Sequence, residues 1–286
     1  MYWYYGMVVL STLMFGVQFY CNDRYRQKSG SGAASVFLFN LIGALTGVVC
    51  LAPLNRFDFS ATPFTLIWAA ITALNAILCS FCTLKALERV NLSVYSLFSM
   101  LGGMMLPFLA GLLFYGEEMT LAKAVCVALI LFALLLGVKS SRGNGGTVYY
   151  VGVFLLNGMS GVLSKIYEDT SLEKVSATGY SLWSAIASAL FTATVLLILQ
   201  KQVKKPCREA LFWSVGAGLL NRVANLILLL ALALLPASVQ YPMVTGGVMI
   251  ASTALALLTG QRVSKKEILA VMLSFVGILA LVLIPI

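Results

Sequence analysis

Apolar runs of about 20 residues recur along the whole chain, parted by short polar stretches rich in Lys and Arg. A helical run of that length crosses about 30 Å of hydrocarbon. The pattern predicts ten spans, at about 4–21, 33–52, 64–86, 92–115, 120–138, 148–166, 177–200, 209–234, 238–259 and 266–285. A polar, glycine-rich stretch at 139–147, KSSRGNGGT, divides them five and five.

The two groups of five share a sequence. Val94–Val138 aligns with Ser238–Val282 at a displacement of 144, without a gap. Gly102 and Gly103 fall on Gly246 and Gly247, Met105 on Met249, Ala110 on Ala254, Gly116 on Gly260 and Glu117 on Gln261. Just upstream, Ala86-Leu87 and Ser93-Val94 fall on Ala231-Leu232 and Ser238-Val239 at a displacement of 145. Weaker matches join span 1 to span 6 and span 2 to span 7. The expectation is a duplication: a first repeat over 1–138, a linker loop at 139–147 and a second repeat over 148–286. Each half has an odd number of spans, so the second half enters the membrane the opposite way up. The expected fold is an all-α integral membrane protein of ten transmembrane helices in two inverted five-helix repeats.

Composition agrees. Of 286 residues, 60% are hydrophobic and 10% charged, against about 25% charged in soluble domains. The net charge of +9 does not point to nucleic acid, because the basic residues sit in loops between spans. Loops 1–2, 3–4, 5–6, 7–8 and 9–10 hold about 14 Lys and Arg; the opposite loops hold about 4. The positive-inside rule then puts both termini outside the cytoplasm of a multi-pass plasma-membrane protein. Tyr2, Trp3, Tyr4 and Tyr5 read as an interfacial anchor rather than part of a cleavable leader. Cys79-x-x-Cys82 lies inside an apolar span with no partner pair, and the chain has no histidine. Small packing residues are the expected reading there, not a metal site.

Several residues together resemble the drug/metabolite transporter superfamily, in particular its EamA-like members. They are the paired segments Ala86-Leu87…Gly116-Glu117 and Ala231-Leu232…Gly260-Gln261, with the Ser164-Lys165 ending of span 6. The resemblance implies a ten-helix basket around a central cavity that works by alternating access. It implies substrates among amino acids, sugars and their derivatives, choline-like cations and drugs. The chain departs from the family in three ways. Asn40 and Ser184 stand near the place where span 2 of such proteins often has a basic residue. The second Gly-Glu is Gly-Gln. The charge count places the termini outside, where many relatives have them inside.

Polar residues inside the spans are the candidates for chemistry. Arg222 is first, 13 residues from Glu209 and 14 from Pro236. A cation at that depth costs at least about 2.5–3.5 kcal/mol on insertion scales and faces a partner or a wet cavity. Gly218, Asn221, Arg222 and Asn225 recur at helical spacing on one face. A guanidinium fork there matches a carboxylate or phosphate; a structural Arg bonded to carbonyls is the alternative. Span 6 has a similar stripe of Asn157, Ser160, Gly161, Ser164 and Lys165, of which Lys165 either lines the cavity or snorkels to the interface. Asn75, Gln18, Asn40 and Gln240 are further candidates for the cavity wall, with Tyr241 and Trp183 as aromatic contacts. Gly102, Gly103, Gly246 and Gly247 are expected to allow close helix contact in spans 4 and 9, and Pro242 to kink span 9. All ten carboxylates fall at or near span ends, so a proton relay on a central Asp, Glu or His is not visible. No phosphate-binding P-loop is present.

The expected function is secondary transport, by alternating access, of a small polar metabolite, with an anionic group as one form of it. A proton-coupled exporter of cationic drugs or metabolites and a membrane-embedded enzyme or lipid-handling protein are the alternatives. An enzyme is not expected, nor any cofactor. The expected partners are the small-molecule substrate and membrane lipid, and the expected state is a monomer or homodimer.

Overall fold

A computed structural model of the protein describes residues 3–30, 32–87, 92–136, 147–199, 206–258 and 265–283. The described residues form ten helices: α1 (Trp3–Ser29), α2 (Ala33–Leu54), α3 (Pro63–Leu87), α4 (Leu92–Phe114), α5 (Leu121–Leu136), α6 (Thr147–Asp169), α7 (Ala177–Ile198), α8 (Arg208–Leu232), α9 (Ala237–Leu258) and α10 (Lys265–Leu283). Five are long and apolar enough to cross a membrane: α1, α2, the Pro63–Thr83 part of α3, α7 and α8. The 22 residues of α2 are about 33 Å of helix, matched to about 30 Å of hydrocarbon. Most of the linker at 139–147 lies outside the described residues.

The elements follow the apolar runs, with one difference. The first span was expected to end at 21, but α1 runs on to Ser29. The added residues, NDRYRQKS, are polar and include good helix formers with neither Gly nor Pro. Hydropathy marks where the apolar run ends, not where the backbone stops. The stop is Gly30, at φ +75°, a left-handed conformation that glycine adopts without a Cβ penalty.

The packing order closes on itself. α1 packs on α8, α8 on α2, α2 on α7, α7 on α3, α3 on α6, α6 on α4, α4 on α9, and α9 back on α1. α5 and α10 pack on each other and on α9, outside this ring of eight. Small residues let the backbones approach. A Cβ on Gly102 of α4 would collide with the Phe154 backbone of α6, and one on Gly218 of α8 would lie 2.5 Å from the Gly43 Cα of α2. Such contacts replace the hydrophobic drive that lipid cannot supply.

The two ends of the ring differ. At one end, α3, α6 and α7 are tied by an aromatic stack. The Tyr167 and Tyr180 rings lie 3.9 Å apart at 13°, with Phe64 stacked on Tyr167 and Trp68. The Tyr167 hydroxyl donates to Val175 O at 2.8 Å, and Trp68 Nε1 donates to Leu163 O at 2.9 Å. At the other end, where Arg24, Lys28 and Arg208 lie, α1 meets the start of α8 through an exposed Lys28–Glu209 pair at 2.6 Å. A cavity of ≈ 490 Å³ opens there between Tyr25, Lys28, Ser35 and Cys207. We call these the stacked end and the basic end.

Candidate functional site

A polar crevice of ≈ 140 Å³ lies deeper along the same three helices. Gln18 of α1, Phe39, Asn40, Gly43 and Ala44 of α2, and Ala217, Gly218, Asn221 and Arg222 of α8 line it. Four residues singled out for their polarity within apolar runs are thus brought together from three helices. The cause is local. Gly43 and Gly47 stand one turn apart on α2, and Gly218 and Arg222 one turn apart on α8. Gly43 receives Gly218. Gly47 receives the Arg222 stem: a Cβ on Gly47 would lie 2.8 Å from Arg222 Cγ and 3.1 Å from Cδ.

The guanidinium of Arg222 has no hydrogen bond or ion pair among the described residues. Around it the amides are partly committed. Asn221 Nδ2 donates to Gln18 Oε1 at 3.2 Å, and Asn40 Nδ2 donates to Ser80 Oγ of α3 at 3.0 Å. These bonds leave the Gln18 amide nitrogen and the Asn221 amide oxygen without a partner among the described residues. One turn further along α1, Asn22 Oδ1 is buried and also lacks one. The crevice therefore presents one cation and neutral amides, with no carboxylate in its lining.

Other expected site residues lie elsewhere. Asn225 shares the helical face of Asn221 but is exposed, its amide donating to Asn221 O at 2.8 Å. Asn157 donates to Ser99 O of α4 at 2.6 Å. Asn75 donates to Leu156 O and Ser160 Oγ of α6, both at 2.9 Å. These two amides join helices. Gln240 is buried rather than on a cavity wall, its amide donating to Leu228 O at 2.9 Å. The Tyr241 hydroxyl donates to Gly161 O at 2.9 Å, and Trp183 Nε1 to Ser60 O, in the α2–α3 loop, at 3.1 Å. Gly102 and Gly103 face Phe154 and Asn157 of α6; Gly246 faces Ile130 and Ile278, and Gly247 faces Thr12 of α1. Pro242 is buried inside α9.

Lys165 does not snorkel. Its ammonium lies 2.9 Å from Asp169 and 3.7 Å from Glu117, 5.1 Å from the centre of the Tyr115 ring. Both Glu117 carboxylate oxygens accept from the first turn of α9, from Ala237 N and Ser238 N at 2.8 Å each. Burial pushes the Glu117 carboxyl up, but those hydrogen bonds and the Lys165 ammonium outweigh it and hold the group below its ordinary value. The loop reaches this position because Gly116 adopts φ +63°.

Glu117, Phe39, Gly43 and Gly47 are the contributors that polarity within spans does not find. Glu117 was visible as one member of the repeated Gly-Glu and Gly-Gln pair. Gly43-x-x-x-Gly47 is itself a helix-packing motif, and it marks the seam that receives Arg222.

The chain matches no protein-family model and no curated protein sequence. Among solved structures, one crystal structure is 17% identical and superposes with a TM-score of 0.73, covering 97% of this chain and 95% of that chain. At that identity the likeness is one of fold alone.

Proposed function

We propose that the protein is a secondary transporter of the drug/metabolite transporter type. All ten helices cross the membrane as two inverted five-helix repeats, and a small polar metabolite with an anionic group binds at Arg222. The observation that carries this reading is the unpaired guanidinium, held mid-way along α8 in a polar crevice among the described residues.

Three further features support it. The order of the ring of eight is unchanged when α1–α4 and α6–α9 are exchanged: α1 on α8 becomes α6 on α3, α4 on α6 becomes α9 on α1, and the α2–α7 and α4–α9 pairs map onto themselves, while α5 and α10 pair with each other. That is the symmetry of a duplicated carrier with its site between the halves. The cavity at the basic end and the Arg222 crevice lie in line along α1, α2 and α8, while the opposite end is stacked with aromatics. With the basic loops in the cytoplasm, this is a carrier open inward and closed outward. Finally, ≈ 140 Å³ is small against the about 300–1,000 Å³ of pockets for drug-sized ligands. The size and the charge disfavour a bulky cationic drug.

The test is ligand-induced stabilisation of the purified protein by a metabolite panel, in wild type and in Arg222→Ala. A ligand at about 100 times its dissociation constant adds about 2.7 kcal/mol. Anionic metabolites should raise the melting temperature of the wild type and not of the variant. Stabilisation by cations alone, equal in both proteins, would remove Arg222 from the site and favour the exporter.

A further inference from the structure

The lining of the crevice constrains the ligand beyond its sign. There is one guanidinium and no carboxylate among the residues that line it. Two other charged side chains of the described bundle are paired, both away from the crevice. Lys165 is held by Asp169 and Glu117, and at the basic end Lys28 is held by Glu209. The crevice itself holds one positive charge for the ligand to neutralise. In a site of low dielectric a second negative charge finds no counter-ion, and an ammonium finds only the like-charged guanidinium. The remaining polar groups are carboxamides, which hydrogen-bond without adding charge. Phe39, Ala44 and Ala217 give the rest of the wall an apolar character.

We infer that the Arg222 crevice selects small monocarboxylates without an amino group, and discriminates against both zwitterionic amino acids and dianionic phosphate esters. The inference rests on the carrier reading above and names its substrate class. The carboxylate takes the guanidinium fork, with the Gln18 amide nitrogen as a further donor. A short carbon chain lies against Phe39, and a hydroxyl on that chain meets the free Asn221 amide oxygen.

A matched three-carbon panel tests it: propionate, lactate, alanine, glycerol 3-phosphate and glycerol, with binding measured calorimetrically on the purified full-length protein at pH 7. Propionate and lactate are expected to bind. Alanine and glycerol 3-phosphate are expected to bind at least about tenfold more weakly, and glycerol not measurably. Arg222→Gln should weaken lactate about tenfold or more, and Arg222→Lys, which keeps the charge and loses the fork, by an intermediate factor. If Arg222→Gln does not fold, the Arg222→Lys comparison decides. Alanine or glycerol 3-phosphate binding as tightly as lactate, with loss on Arg222 substitution, overturns the monocarboxylate selection and leaves the anion site standing. Lactate binding that neither Arg222 variant changes overturns both. Failure of every acid to bind at millimolar concentration overturns the inference.

Discussion

Arg222 lies flat on α2 because Gly47 has no side chain to lift it. The stem is the part in contact, so a methyl group at Gly47 cannot be absorbed by rotation of the far end of the arginine. Gly47→Ala should therefore shift the guanidinium while leaving its charge and the overall fold in place. The expected result is a loss of anion affinity of about tenfold, by analogy with a displaced positioning group, with a melting temperature within a few degrees of wild type. Binding calorimetry beside a thermal scan separates the two. At this scale the sequence was only half legible. Polarity inside an apolar run exposes Gln18, Asn40, Asn221 and Arg222, because such residues are costly in lipid. It does not say which of them meet, and it marked Asn75 and Asn157 equally, although those two hold α3 to α6 and α6 to α4. An amide that joins helices and an amide that faces a ligand carry the same signal until the partner helix is known.

Among the elements, the start of α9 is held by a side chain from another helix's end. Glu117 follows α4 and caps two amides of α9, with Lys165 of α6 beside it; the side chains of both are 9% exposed. The carboxyl is held below its ordinary value, so its contribution to stability is full above about pH 4.3, the usual glutamate value. That contribution is lost as the pH falls through the depressed value. Between pH 6 and pH 3 the wild type should lose more melting temperature than Glu117→Gln, which is less stable at neutral pH and flatter with acid. Equal slopes would show that the pairing adds nothing. A second contact tests the α4–α6 seam. Gly102→Ala places a methyl group against the Phe154 backbone, which cannot rotate away, and overpacking of this kind costs about 1–3 kcal/mol. Thermal unfolding in detergent reads it. The helices themselves were legible from hydropathy because most apolar runs are bounded by charge, and the break between α8 and α9 by Pro236. The end of α1 was not, since a polar helix continues until Gly30 turns it.

For the whole molecule, the sequence displacement of 144 residues and the exchange symmetry of the ring of eight helices both support the duplication proposed above. What suggested a repeat in the sequence was glycines recurring in register, Gly102-Gly103 with Gly246-Gly247. The closed order of eight helices was not readable there, because it depends on which neighbours each helix meets. The proposed orientation makes a direct prediction. Cys207 is exposed and lines the cavity at the basic end. In a variant retaining only this cysteine, a membrane-impermeant maleimide should label inside-out vesicles and spare intact cells. The reverse pattern would place the basic loops outside.

One consequence of the unpaired Arg222 concerns the membrane voltage. An empty crevice carries a full positive charge; a crevice holding a monocarboxylate carries none. On the proposed carrier cycle, the loaded form would reorient without feeling the potential and the empty form would not. A charge that crossed the whole field would gain about 2.3 kcal/mol per 100 mV, and the empty site gains the fraction it traverses. An inside-negative potential draws the empty site back toward the cytoplasm. On that cycle it would speed net efflux of the acid and leave one-for-one exchange of acids unchanged, so the resting potential itself would supply the driving force and the direction.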